Sequence, residues 1–297
     1  MSTNTSNYLI SNYIISLTHA AVVASRTLSG TESRVVLSLE AEGREEFTIE
    51  EIEDRAHISR PFARKIAHQL MRKGWVQRLK RGHYLLNPAR HGPDALPDTD
   101  PFRAGSYLVA PYYFGFSSAA ELWGFLPQAS RVYYLATPSH HRLRRMRPVE
   151  IRTVRVGKER FFGARVLTRR GVRFLVSDAE KTVLDCFLRP ELAGGMAGCV
   201  QILAAAKAHL DWARLGRYLR RIGERSVSHR VGYLLERVRP DIRVPPRTIA
   251  DLLPTPREPY VPLGPPRVFG RRGRHDPRWK VVENVPSREL FGEVDLR

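Results

Sequence analysis

Cysteine is almost missing from this chain: its 297 residues include two, Cys186 and Cys199. That excludes a disulfide framework and a cysteine-based zinc site. Both cysteines fall in apolar helical patterns, which predicts buried free thiols and a reducing, cytoplasmic setting. Long apolar runs are missing as well. The nearest is "YLISNYIISLTHAAVVAS", within 25 residues that hold no Lys, Arg, Asp or Glu. It lacks the basic start of a signal peptide. Ser11, Asn12, Ser16, Thr18 and His19 also make it too polar for a spanning helix of about 20 apolar residues. Residues 1–28 are therefore expected to form an N-terminal appendage, with no membrane partner. No P-loop, dinucleotide fingerprint or G-x-S-x-G elbow occurs, so no cofactor and no enzymatic activity are expected.

Acid is the third scarcity. Lys and Arg number 49 against 30 Asp and Glu, a net charge of +19. A protein this basic is expected to meet a polyanion, nucleic acid before any other. The imbalance is also patterned along the chain. Residues 40–54 contain eight acids, whereas residues 55–93 contain none and ten bases. One side of a small domain is thereby predicted to face a polyanion while another faces away.

The local signals in that stretch are specific. Ser29 with Glu32 forms a capping box for a helix over "ESRVVLSLEAEG", closed by Gly43. Thr48 with Glu51 forms a second box for "TIEEIEDRAH". A third helix, "PFARKIAHQLMRKG", has Ser59 as N-cap, Pro61 in its first turn and Gly74 just past its end. Phe62, Ile66 and Leu70 recur within it and are assigned to the core. "WVQRLKRGHYLL" then alternates as a hairpin, with Trp75, Leu79 and Leu85 inward and Gly82 in the turn. Helix, helix, turn, helix, hairpin is the order of a winged helix-turn-helix, placed at residues 29–88. Such a module delivers the start of its third helix to base edges and its wing to the backbone. The candidate DNA-binding residues are therefore Ser59, Arg60, Arg64, Lys65, His68 and Arg72 on the helix, and Arg78, Lys80, Arg81 and His83 on the wing.

Residues 89–100 read as a proline-rich linker, and a second domain as spanning 101–297. "SYLVAPYYFGF" reads as buried extended chain. "SSAAELWGFLPQ" reads as a short helix capped by Ser117 or Ser118 with Glu121. Four strand candidates follow, "RVYYLATP", "VEIRTVRV", "RFFGARVLT" and "VRFLVS", and then four helices. The class is α+β: a mixed C-terminal domain with a central sheet and packed helices. Eleven of the 21 prolines lie in 240–297. That excludes long helices and predicts an extended, Pro/Arg-rich tail wrapped on the second domain.

Catalytic constellations are sparse. His140 and His141 are adjacent and would point to opposite faces of a strand. Asp178, Glu180 and Lys181 resemble an acid–base cluster, but Ser177 with Glu180 fits a capping box. Glu150 and Arg152, with Asp98 or Asp100 as partner acid, form the weak outline of a metal-dependent nuclease. A ligand-sensing transcription factor is the other alternative.

Four segments in order resemble the AbiEi-type antitoxin family. The wing residues Arg81, Gly82, Tyr84 and Leu86 match R-G-x-Y-x-L. "FSSAAELWGF" is similar to the family's S-x-x-S-A-x-x-x-x-G-L step, with Phe125 in place of Leu. Glu180, Lys181, Leu184, Asp185, Pro190, Gly194 and Gly195 match its E-K-x-L-x-D and P-x-x-x-G-G. "HRVGYLLE" is similar to R-L-G-Y-L-L-E, with Val231 for Leu. The likeness runs from about residue 47 to 236. It implies a winged helix that represses its own operon at inverted repeats. It also implies a C-terminal domain that helps neutralise a nucleotidyltransferase toxin, in many members without a stable complex. The uncharged N-terminus and the tail depart from the family.

Overall fold

The structure, a computed structural model, describes residues 26–92, 100–127, 130–139, 144–145, 150–169, 172–238 and 244–292, with main chain only at 80, 91, 144 and 145. The uncharged first 25 residues, the centre of the linker with Asp98, His140, His141 and the side chain of Lys80 lie outside the described residues. The chain divides into two compact units, Met1–Asp98 and Thr99–Arg297. Its class is mixed α+β, with three separate sheets among the described residues.

Unit 1 contains α1 (Gly30–Ala41), β1 (Glu46–Thr48), α2 (Ile49–Ala56), α3 (Arg60–Arg72), β2 (Val76–Lys80) and β3 (His83–Leu86). Both expected capping boxes form, Ser29 with Glu32 and Thr48 with Glu51. Each satisfies two otherwise orphaned N–H groups at a helix start. Glu32 is buried and also accepts from Lys73 Nζ at 2.6 Å, which ties the start of α1 to the end of α3. Ser59 occupies the N-cap position of α3, but its hydroxyl makes no capping bond. At the other end Gly74 has φ +75°, the left-handed value the helix exit requires.

Two expectations for this unit need correction. A third strand, β1, inserts between the first two helices and pairs antiparallel with β3, so the sheet order is β1-β3-β2. Phe47 of β1 stacks on Tyr84 of β3 with centroids 5.8 Å apart. Phe62 does not face the core and is 41% exposed. The buried stripe of α3 is Ala63, Ile66, Ala67 and Leu70. That set follows the i, i+3, i+4, i+7 rule, and Phe62 lies about a quarter-turn off it.

Unit 2 opens with α4 (Pro101–Ser106), β4 (Tyr113–Phe114) and α5 (Phe116–Leu122); within residues 106–116, expected as mostly buried extended chain, only Tyr113–Phe114 pair as a strand. Asp100 caps α4 by accepting from the Phe102 N–H at 3.0 Å. The strands β5 (Val132–Thr137), β6 (Arg144–Arg145), β7 (Glu150–Arg155), β8 (Ala164–Arg169) and β9 (Val172–Ser177) join β4 in one mixed sheet, ordered β6-β7-β5-β4-β9-β8. The four strands expected from sequence are β5, β7, β8 and β9. Helices α6 (Ala179–Leu188), α7 (Gly195–Ala206), α8 (Trp212–Ile222) and α9 (Arg225–Leu235) bring most of the apolar core.

The tail folds more than expected. It forms α10 (Pro246–Leu252), β10 (Val261–Pro262), α11 (Pro266–Phe269), β11 (Arg274–Asp276), β12 (Val281–Glu283) and α12 (Ser287–Phe291). Its strands make a small sheet ordered β10-β12-β11. Trp279 anchors it in the main core, fully buried. A Cβ added at Gly232 of α9 would fall 2.0 Å from the Trp279 ring, so glycine is what admits the indole.

Two expected caps in unit 2 differ. Glu121 does not cap α5: it accepts from Ser130 N–H, and Ser118 accepts from Tyr134 N–H at 2.7 Å. Those side chains fasten α5 to β5 instead. The cap of α6 is Asp178, accepting from Lys181 N–H at 2.8 Å, because Ser177 is committed to β9. Glu180 turns away to accept from Asp211 N–H at 2.6 Å.

Candidate nucleic-acid interface

Between α3 and the β2–β3 hairpin lies a groove of about 590 Å³, floored by Ile49, Met71 and Tyr84 and bordered by Arg60, Arg64, His68, Arg78, Arg81 and His83. Helical periodicity explains the α3 contribution: positions 60, 64 and 68 repeat every four residues and share one face. The hairpin adds its cations because Gly82, at φ +79°, turns the chain tightly between Arg81 and His83. Six of the ten positions expected from sequence thus converge on one concave surface. The side chains of Arg64, His68, Arg78 and Arg81 are exposed and hydrogen-bond no other described residue.

Two of the expected residues have acidic partners. Arg60 pairs with Glu50 and lies 3.7 Å from Glu53. Glu50 is kept below the usual carboxylate range by its own N–H, by the Thr48 hydroxyl and by Arg60. The Arg60–Glu50 pair is half exposed on both sides, so exchanging Glu50 for a phosphate oxygen would cost little, because water screens an exposed ion pair. His83 Nδ1 lies 2.7 Å from Glu46 Oε1.

Lys65 and Arg72 are exposed on the next stripe of α3 and do not line the groove. Lys65 Nζ stands 5.8 Å from the Phe62 ring centroid. Ile49, Glu50, Met71 and Tyr84 also line the groove and were not expected from sequence. The signal available for Glu50 was its place in the first turn of a capped helix, which aims it at the start of the next one.

The other candidates are occupied in plainer ways. Glu150 and Arg152 bond to each other at 2.9 and 3.1 Å along β7, and Asp100 caps α4. Among the described residues no three His, Cys, Asp or Glu side chains gather where they could hold a metal. Cys186 and Cys199 are free and buried, and burial pushes both thiols up. Unit 2 has its own concavity of about 740 Å³, whose lining includes Arg131, Arg288, Glu191 and Glu289. No helix among the described residues is long and apolar enough to cross a membrane.

No protein-family model matches the sequence, and no curated protein matches it. Among solved structures, the crystal structure of the Rv2827c protein from Mycobacterium tuberculosis is similar, with a TM-score of 0.62 over 88% of this chain and 94% of that one, at 18% identity. The likeness is one of fold. Unit 2 alone is too short to supply that coverage, so the shared fold takes in residues of both units.

Proposed function

We propose that this chain is a DNA-binding autorepressor and antitoxin of the AbiEi type, acting in the cytoplasm against a nucleotidyltransferase toxin. In this reading unit 1 is a winged helix-turn-helix: α2 and α3 form the helix-turn-helix and β2–β3 the wing. The observation that carries it is the groove where the side chains of Arg64, His68, Arg78 and Arg81 stand exposed with no acidic partner among the described residues. Arg64, Lys65 and His68 would reach base edges in the major groove, with Arg60 joining once Glu50 is displaced. Ser59 and Arg72 would take phosphates at the two ends of α3. Arg78, Lys80, Arg81 and His83 would lie along the neighbouring backbone.

The test is a gel shift on the gene's own upstream DNA at two salt concentrations. Arg64→Ala should weaken binding by about 1–3 kcal/mol, the worth of one good base contact. Lys80→Ala/Arg81→Ala should lower the salt slope by about one to two, at roughly 0.9 per phosphate contact. Variants that bind as tightly as the parent would sink the assignment. The antitoxin half rests on the sequence resemblance and is tested by co-expression with a neighbouring nucleotidyltransferase. Failure to relieve toxicity there, with operator binding intact, would favour a ligand-sensing regulator, for which the concavity of unit 2 supplies a chamber.

A further inference from the structure

Acid is absent from residues 259–275, which contain Arg267, Arg271, Arg272 and Arg274. Arg274 is engaged by Glu283 at 3.0 and 2.9 Å. The other three are exposed and hydrogen-bond no other described residue. Elsewhere in unit 2 many arginines are paired, among them Arg152 with Glu150, Arg220 with Asp251, Arg225 with Glu258 and Arg278 with Glu236. Three unpaired guanidinium groups within six residues repel one another, and a loose loop would let them separate.

This loop, which runs from Gly264 through the single turn α11 to Arg272, is held instead. The buried Asn284 side chain accepts from Gly264 N–H at 2.9 Å and donates to the carbonyls of Gly264 and Gly270 at 3.2 and 2.7 Å. Gly270 adopts φ 72° and ψ −171°, a conformation open in practice to glycine alone. At Gly264 a Cβ would come within 2.8 Å of the Phe269 ring, so the ring seats on bare backbone. Its neighbour Val268 is left 71% exposed among the arginines. A merely solubilising surface needs neither the clamp nor the exposed valine.

We propose that this pinned arginine loop is a second duplex-DNA contact, a phosphate-binding surface separate from the α3 groove. The proposal rests on unit 1 being a DNA-binding module. Residues 1–100 carry 13 bases and 12 acids, so nearly all of the net +19 belongs to the rest of the chain. Duplex affinity comes mainly from phosphate neutralisation. A reading unit with so little net charge leaves most of that work to unit 2. Arginine suits it, because its planar fork binds phosphate oxygens in pairs.

The experiment uses the full chain, with Arg267→Ala/Arg271→Ala/Arg272→Ala and with the same three positions changed to lysine. Each protein is titrated against its upstream duplex with flanks, a scrambled duplex and a single-stranded RNA of equal length, over a range of salt. The alanine variant should melt like the parent, since all three side chains are exposed. Its slope of log K against log salt should fall by about two to three on both duplexes, at roughly 0.9 per lost contact. The lysine variant should restore it. An unchanged slope in the alanine variant overturns the loop and leaves the reading of unit 1 standing. A parent that binds neither duplex overturns both. Loop-dependent binding stronger for the RNA strand than for duplex overturns the assignment to DNA.

Discussion

Lys181 and Asp185 stand one turn apart on α6 and close into an ion pair in which neither side chain is open to water. Tyr113 completes the group: its hydroxyl donates to Asp185 Oδ2 at 3.0 Å and receives Lys181 Nζ at 3.1 Å. The Phe162 ring lies 5.0 Å from the ammonium. Burial pushes the Asp185 carboxyl up, and Lys181 and Tyr113 oppose that rise. A charge so placed is tolerable only while its partner remains.

That pairing gives an asymmetric expectation. Lys181→Met should cost about 3–5 kcal/mol, because it strands a buried carboxylate. Lys181→Met/Asp185→Leu/Tyr113→Phe should recover most of the loss, since no polar group is then left unsatisfied. Urea unfolding of the full chain measures both. A single variant as stable as the parent would show that the pair is not closed to water.

Phe62 and Ile66 make a second contrast on α3. They are four residues apart, yet one is 41% exposed and the other 3%. Ile66→Ala should cost about 2–5 kcal/mol through the cavity it leaves. Phe62→Ala should change stability by no more than about 0.5 kcal/mol, as an exposed substitution does. Thermal melts compare them, and equal losses would place Phe62 back in the core.

The same helix shows what the sequence could and could not disclose. Apolar residues at 62, 66 and 70 suggested one buried face, but Ala63 and Ala67 complete the true one, and alanine carries little signal. Both capping boxes of unit 1 were legible because each is complete within four residues. β1 was not, since three residues hold no periodicity and only its pairing with β3 defines it. The cap of α6 was misplaced by one residue because Ser177 and Asp178 are both good caps, and only strand pairing chooses between them. In the candidate site the groove-lining cations were visible from motif order. The acids that restrain two of them were not, because Arg60–Glu50 and His83–Glu46 are separated by 10 and 37 residues. Lys181 and Asp185 have the i, i+4 spacing of a surface pair, and only the packing around them reveals the burial.

The tail supplies a prediction in pH. Glu258 sits between α10 and β10, where His229 Nε2 lies 2.6 Å away and Arg225 Nε 3.1 Å away. Thr255 donates to it through its N–H at 3.0 Å and its hydroxyl at 3.1 Å. Burial would raise this carboxyl, but the Thr255 N–H, His229 and Arg225 together outweigh that and hold it at about 2, against an ordinary 4.5. A depressed carboxylate stabilises the fold fully above its unfolded pKa and loses that contribution as pH falls toward the folded value. The clamp between α9 and the tail should therefore be at full strength at neutral pH and weaken between about 4.5 and 2. Glu258→Gln cannot titrate. It should melt below the parent at pH 7 and converge on it as pH falls through that window. Other carboxylates titrate in the same range, so the difference between the two melting curves is the quantity to follow by circular dichroism. A difference that stays constant from pH 7 to pH 2.5 would mean that Glu258 does not hold the tail through its charge.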